Sequence, residues 1–587
     1  MRLLRLLAWT SALLSPMAVQ AQAPSQTLHA LFAEYWEDTA RDLPEWATWR
    51  GDRRFDDRLA DHSPAARAAR DRQARQWLAR ATAIDRAALS PADQLSLDVF
   101  IHGRADEVAY QPFEGWRTMS LGAEGGLHTD LPDLLRLMPA DSLPQVEAVL
   151  ARLAAVPRRV DQELQWLGRG VTLGWVPPAP VLQRALAQLD EQLHAPPQDS
   201  PWLEPLQRMS PQIPPAEQAS LRRRGDVVLR EQVLPALQRL RDFVAGDYLR
   251  HASANGALSG YADGPRVYAL LIATHTTLPW SAQQLHDIGL REVARLQREI
   301  EAAWRDAAFA GSLAQWLEHL NTDPRYFHTS GEALLAGYRD IAKRIDPELP
   351  RLFAVLPRIP YGIAAMPAHF DAGKAEYYID PALDGSRPGW FFANPRAYTQ
   401  RPIWSMETLV AHETVPGHHL QVARAAELES LPEFRRNNAF TAYVEGWALY
   451  AETLGFELGL YRDAASRYGH LQLQIFRAAR LVVDTGIHAF GWSREDAIDY
   501  LSATSGLARS QCAAEVDRYT SIPGQALAYM SGQLKIVELR QRAQAALGER
   551  FDLRRFHNAL LDQGALPLSV LERSIDDWIV RQAAAPR

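Results

Sequence analysis

One cysteine, Cys512, stands alone in a chain of 587 residues. It has no partner for an internal disulfide, so stability has to come from burial of a hydrophobic core. Lysine is almost as scarce: Lys343, Lys374 and Lys535 are the only three. Arginine therefore supplies nearly all the positive charge, a pattern that reads as genomic base composition rather than function. After the N-terminal segment no stretch approaches about 18 uninterrupted apolar residues, which excludes a membrane-spanning helix from the mature chain. Repeats, low-complexity linkers and long runs of one charge are missing too, so no clean domain border is marked. A formal charge of −7 gives no electrostatic reason to expect a nucleic-acid partner.

What is present is ordinary in bulk. Hydrophobic content of 47% and charged content of 23% are those of a globular protein. The first residues have the layout of a secretory signal peptide: Arg2 and Arg5, a mostly apolar run from Leu6 to Val19, then Ala21-Gln22-Ala23. Cleavage there takes the formal charge from −7 to −9 by removing two arginines. No cysteine stands at the cleavage region, so lipid attachment at that point is not expected. The reading is a signal peptide over 1–23 and one α-helical domain over 24–587. Its helical N-terminal half runs to about 260 and the chemistry lies in the second half, about 261–587. The location expected is periplasmic or secreted, with no membrane contact after cleavage.

Apolar residues at threes and fours predict helices over Leu143–Leu153, Val181–Leu193 and Leu221–Val244, punctuated by Pro177-Pro178, Pro196-Pro197 and Pro214-Pro215. Ser281 is placed to cap a helix running to Arg305. One region breaks this rhythm. Ala375–Asp380 and Trp390–Asn394 have strand-like aromatics around a turn-rich Asp384–Gly389, predicting a small β-hairpin. Its edge offers a place for an extended peptide to add as a strand, or the hairpin simply covers the core. Helical patterning returns after residue 402, with Ser405 as a cap for Met406, Leu409 and Val410, and a further helix from about Ala439 to Leu454. Later helices are expected over Leu471–Val483, Arg494–Ser502 and Gln525–Leu547. The fold class is mainly α.

The chemistry concentrates in His412-Glu413-Thr414-Val415-Pro416-Gly417-His418-His419, with Glu445 following 26 positions after His419. Two histidines, a later glutamate and a spare carboxylate are what a hydrolytic zinc site requires. In the usual helical zinc motif the histidines stand at i and i+4; here i+4 is Pro416. His412 and Glu413 are neighbours, so one can bind metal while the other faces the water as general base. Glu445 would complete the ligand set. On an ideal helix i+7 returns to within about 20° of i, favouring His419. Pro416 opposes the His412 carbonyl, so the helix must bulge or kink, with Gly417 taking unusual backbone angles; His418 can then come round instead. The bland alternative, a helix end with satisfied core histidines, does not account for three histidines, the proline–glycine pair and a second acidic helix together.

The terminal Gly417-His418 pair resembles the H-E-x-G-H form of the thimet-oligopeptidase group and the H-E-x-x-G-H form of dipeptidyl peptidase III, which implies His418 as the ligand and His419 as its support or a substrate contact. The wider sequence resembles the bacterial family catalogued as domain of unknown function (DUF) 885. The matches run through Leu420-Gln421, Glu445-Gly446-Trp447-Ala448-Leu449-Tyr450-Ala451-Glu452, Arg480 to His488, Glu515 to Tyr519, and Pro523-Gly524-Gln525-Ala526. The resemblance implies a helical, gluzincin-like metallopeptidase fold with a deep central channel, and no secure substrate.

Weaker candidates surround this core. Asp484 and His488, at i and i+4, could form a carboxylate–imidazole pair supporting the site, or ordinary helix structure. Glu452, one heptad beyond Glu445, could orient a ligand histidine or lie on a solvated face. Tyr519 could stabilise the oxyanion, with Arg518 and Tyr529 gripping substrate, although tyrosines often just fill cores. The function expected is an exported peptidase with one Zn(2+) per chain, acting on short peptides. The alternatives are an amide hydrolase on a non-peptide substrate and a non-catalytic peptide binder.

Overall fold

Proline opens helices here as often as it ends them. Pro24–Asp42, Pro64–Thr82 and Pro91–Ala109 each begin on proline, whose missing N–H would be unsatisfied at that position anyway, and the Ser63 and Ser90 hydroxyls cap the last two. The computed structural model describes residues 23–122, 125–366, 375–382, 385–436 and 438–584. The expected signal segment lies outside them except for Ala23, as do Lys374 and Asp384. The chain is 72% helix and 3% strand, a mainly α fold.

In the N-terminal half the expected helices extend further than their patterns. Leu143–Leu173 opens on a capping box of Ser142 and Gln145, and Ala179–His194 follows. The run from Pro215 continues through π-helical turns at Leu229–Val233 and Val244–Tyr248. These helices share a core that includes Leu153, Leu182, Trp202, Leu237 and Tyr248.

The second half is built around the helices Thr441–Thr453 and Ala464–Phe490, which are buried along most of their length. Helix α1 (Ala282–Asp306) has the expected Ser281 cap, completed by Gln284. Helix α2 (Ile403–Glu413) starts before Ser405, which was expected to cap it. Pro402 occupies the cap position, and the Ser405 hydroxyl instead donates back to the Pro402 carbonyl at 2.8 Å. Then come α3 (His418–Ala426), α4 (Thr441–Thr453), α5 (Ala464–Phe490), α6 (Arg509–Ser521) and α7 (Ala528–Leu547). Between α4 and α7 the backbones touch: a Cβ on Gly446 would lie 2.4 Å from the Gly532 Cα. On α1, Gly289 makes the same kind of close approach to Leu481 and Val482 of α5.

The expected hairpin is present as part of a larger sheet. Strand β2 (Tyr377–Ile379) pairs antiparallel with β3 (Gly389–Ala393), Tyr378 opposite Phe391. A strand with no forecast in the sequence, β1 (Tyr361–Ala365), pairs parallel with β3, giving the order β1-β3-β2. Among the described residues no helix is long and apolar enough to cross a membrane.

Candidate metal centre

The motif does not form one kinked helix. α2 ends at Glu413, where the Thr414 amide and hydroxyl both donate to the Val410 carbonyl, and the chain then passes through a cis Val415–Pro416 bond before α3 starts at His418. This corrects the expected bulge: Pro416 lacks the N–H that would continue the helix, and its ring opposes the His412 carbonyl. Gly417 takes the expected non-helical angles, φ −79° and ψ −128°, and is also needed for closeness. A Cβ there would stand 1.9 Å from the His412 carbonyl oxygen and 2.4 Å from that of Ala411. Trp447 on α4 holds the turn, its indole N–H donating to the Pro416 carbonyl at 2.9 Å.

The turn brings together His412, His418 and Glu445, whose donor atoms all lie within 4.8 Å of one another. Glu445 Oε2 is 3.4 Å from His418 Nε2 and 3.8 Å from His412 Nε2, buried and without a hydrogen-bond partner. Tetrahedral zinc with bonds of about 2.0–2.2 Å separates its donors by about 3.3–3.6 Å, so a site of this chemistry and spacing fits the ion. Behind it, His412 Nδ1–H donates to Glu452 Oε1 at 2.8 Å, and Gln474 donates to the other Glu452 oxygen at 3.0 Å. That contact fixes the tautomer with the Nε2 lone pair facing Glu445. Glu452 is fully buried.

His419 points elsewhere. Its Nε2–H donates to the Ile359 carbonyl at 3.0 Å, and its Nδ1 accepts from the Tyr378 hydroxyl of β2 at 2.8 Å. Both ring nitrogens are used, so it has no lone pair to give to the cluster.

Burial and mutual charge set the electrostatics of the cluster. Burial pushes the Glu413 carboxyl up to about 8, against the nearby His418, and pushes Glu452 up to about 7. Burial lowers the His418 imidazole, but the Glu445 carboxylate 3.4 Å away, with Glu413 beyond, outweighs this and holds it at about 9. Burial likewise raises Glu445, but His418, His412 and Tyr529 together hold it down at about 2. His412 is driven well below the usual histidine range by burial. His418 and Glu445 keep side-chain exposures of 12% and 17%, so the open side of the cluster lies there.

The remaining candidates take other places. Asp484 accepts from the Tyr268 hydroxyl at 2.7 Å and from the Gly524 amide, while His488 accepts from the Leu258 amide and donates to the Tyr519 carbonyl. They do not pair with each other or reach His412; they lock α5 to its neighbours. Tyr519 is fully buried, its hydroxyl taking a 3.0 Å hydrogen bond from Arg480. Arg518 bonds Glu515 and Gln525, each within 3 Å. Tyr529 is half-buried beside Glu445, and burial, then that charge, raises its phenol. Two contributors went unforeseen. Tyr378 lay in the strand singled out for peptide addition, and Arg477 lies three residues before the quoted Arg480 motif.

Next to the sheet is a cavity of about 1070 Å³, between it and the N-terminal helices, lined by Trp46, Trp49, Arg136, Tyr378, Asp380 and Arg387 among others. Tyr378 joins this lining to His419, and its ring stacks 6.4 Å from that of His418.

Residues 44–575 match the family described as bacterial protein of unknown function (DUF885). The chain is similar to the crystal structure of the "putative lipoprotein" from Colwellia psychrerythraea, with 26% identity and a TM-score of 0.90 over 95% of this chain and 100% of that one. A "putative lipoprotein of unknown function" from Shewanella oneidensis shares the fold at 17% identity, with a TM-score of 0.67 over 94% of this chain and 99% of that one. No curated protein matches the chain.

Proposed function

The chain belongs to the bacterial DUF885 family, and from that premise we propose that it is an exported zinc-dependent peptidase acting on short peptides. The observation behind this reading is the convergence of His412, His418 and Glu445 within 4.8 Å, with Glu413 adjoining in sequence and Glu452 fixing His412. A zinc ion bound there supplies Lewis acidity, which lowers the pKa of water and polarises an amide carbonyl. Glu413 takes the proton of the attacking water and delivers it to the leaving amine. Tyr529, half-buried on the Glu445 side, is the phenol placed to donate to the developing oxyanion, in preference to the fully enclosed Tyr519. Strand β2 lies at the edge of the sheet and lines the cavity, so an extended peptide can add to it there.

The test is zinc analysis of the purified protein followed by digestion of a peptide library read by mass spectrometry. Glu413→Gln should keep about one zinc per chain while losing about two to four orders of magnitude in rate. Loss of the zinc in that variant would make Glu413 a ligand. Zinc bound with no peptide cleaved would turn the reading toward a non-peptide amide or a binding role.

A further inference from the structure

Buried arginines elsewhere in this chain spend their N–H groups on neighbours. Arg152, 1% exposed, donates to the carbonyls of Arg58, Pro44 and Phe55 and to the Thr48 hydroxyl. Arg435 donates to the Ser96 hydroxyl and the Gln563 carbonyl. Each still leaves one nitrogen without a hydrogen-bond partner, Nη1 of Arg152 and Nε of Arg435, and Arg480 on α5, 5% exposed, does the same at Nη1. Arg477 on α5 differs: it is 8% exposed, its Nε has no hydrogen-bond partner, and it has no ion-pair partner among the described residues. Arg480 is braced by Tyr519 at 3.0 Å and Glu515 at 2.9 Å, which aims its guanidinium without saturating it.

Their position explains what they wait for. Residues three apart share a helix face, so Gln474, Arg477 and Arg480 form one row along α5. Gln474 reaches Glu452 behind His412 at one end. At the other end the Arg480 guanidinium lies 4.6 Å from the ring centre of Tyr529, the tyrosine beside Glu445. Between them, the charge of Arg477 is felt at His412, Glu413 and Glu452. The row therefore runs alongside the metal donors. An uncompensated guanidinium in a buried site is costly, and a planar fork with free N–H groups is the geometry that receives a carboxylate.

We propose that Arg477 and Arg480 bind a carboxylate of the substrate, making this a peptidase for anionic peptides held at a fixed distance from the cut bond. The inference rests on the peptidase reading. The ligand is either the peptide's C-terminal carboxylate or an acidic side chain, and the experiment separates the two.

Two peptide pairs are compared, one differing only in a C-terminal carboxylate or carboxamide, the other only in an internal Glu or Gln. The anionic member of one pair should be favoured about 10- to 100-fold in kcat/KM, the discrimination expected of charge-assisted hydrogen bonds. Preference within the first pair assigns the C-terminal carboxylate, and preference within the second assigns a side chain. Arg477→Gln should bring the favoured ratio close to one with zinc content and Tm retained; a purely structural role would lower both members together and leave their ratio as it was. Arg477→Lys, which keeps the charge but loses the fork, should fall between, and serves if the glutamine variant does not fold. Should neither pair be cut, the peptidase reading fails, and calorimetric binding of the same peptides to the zinc-loaded protein still decides the arginines' role. Equal treatment of both pairs by the wild-type protein, in rate or in binding, overturns the proposal, as does undiminished discrimination in Arg477→Gln.

Discussion

Replacing Glu452 with glutamine isolates the link between α4 and the metal cluster. The carboxylate is fully buried and both its oxygens are used, one by His412 Nδ1–H at 2.8 Å and one by Gln474 at 3.0 Å. Glutamine keeps the shape but turns one acceptor into a donor. If its oxygen stays on His412, its amino group faces that of Gln474, which must rotate and give up its 3.4 Å contact with the Leu449 carbonyl. A hydrogen bond to a charged partner contributes about 1.5–3 kcal/mol, against about 0.5–1.5 kcal/mol for a neutral one. The difference, about 1–2 kcal/mol, is about 5- to 30-fold in zinc affinity, in line with the loss found when such supporting partners are mutated. Competition against a chromophoric chelator, run beside thermal melting of the same samples, measures it. Unchanged affinity in a folded Glu452→Gln protein would refute the claim that Glu452 sets the His412 tautomer. Complete loss of zinc would make Glu452 a ligand.

His418→Ala should abolish zinc binding while His419→Ala retains it, read by metal analysis of the purified variants. Gly417→Ala should destabilise the fold by about 3 kcal/mol or more in chemical denaturation, because the added methyl has backbone carbonyls at 1.9 and 2.4 Å and cannot be accommodated without moving the turn. Zinc affinity should climb as pH rises from about 6.5 toward 9. Over that window His418, held up at about 9 by Glu445, loses the proton a metal must displace, and chelator competition across pH measures the slope. For the metal-free protein the same shift has the opposite effect. A histidine whose folded pKa is raised stabilises below its unfolded value and loses that contribution as pH rises through 9; Glu413, raised to about 8, also loses stability with rising pH.

The helices were legible because apolar periodicity and caps are local. Ser281, with its glutamine three residues on, needs nothing beyond its own turn. Strand β1 was not legible, since Tyr361–Ala365 is short and exists by pairing with β3, 24 or more residues away in sequence. Ser405 misled because a proline three residues earlier serves as well at a helix start. At the site, residue types and spacing named the three groups that converge, but the choice between adjacent histidines was not in the spacing. An ideal-helix argument pointed to His419, and the chain does not stay helical through Pro416. Asp484 and His488 show the limit of i, i+4 logic: both are buried and both are polar, but their partners come from segments more than 200 residues earlier in the chain and about 30–40 residues later.

What keeps His419 out of the His412, His418 and Glu445 cluster is the small sheet. Each strand touches His419: Tyr378 of β2 donates to its Nδ1, the Tyr361 ring of β1 lies 4.7 Å from it, and Gly389 of β3 leaves room where a Cβ would sit 2.7 Å from Nδ1. The Ile359 carbonyl, just before β1, takes the other nitrogen. Consecutive residues at a helix start point about 100° apart, so fixing His419 on the sheet turns His418 away from it, toward Glu445. The sheet is therefore more than a cover for the core. The Tyr378 that holds His419 also lines the cavity beside β2. Under the proposed function, a peptide added along β2 would reach His418 through one phenol and one imidazole.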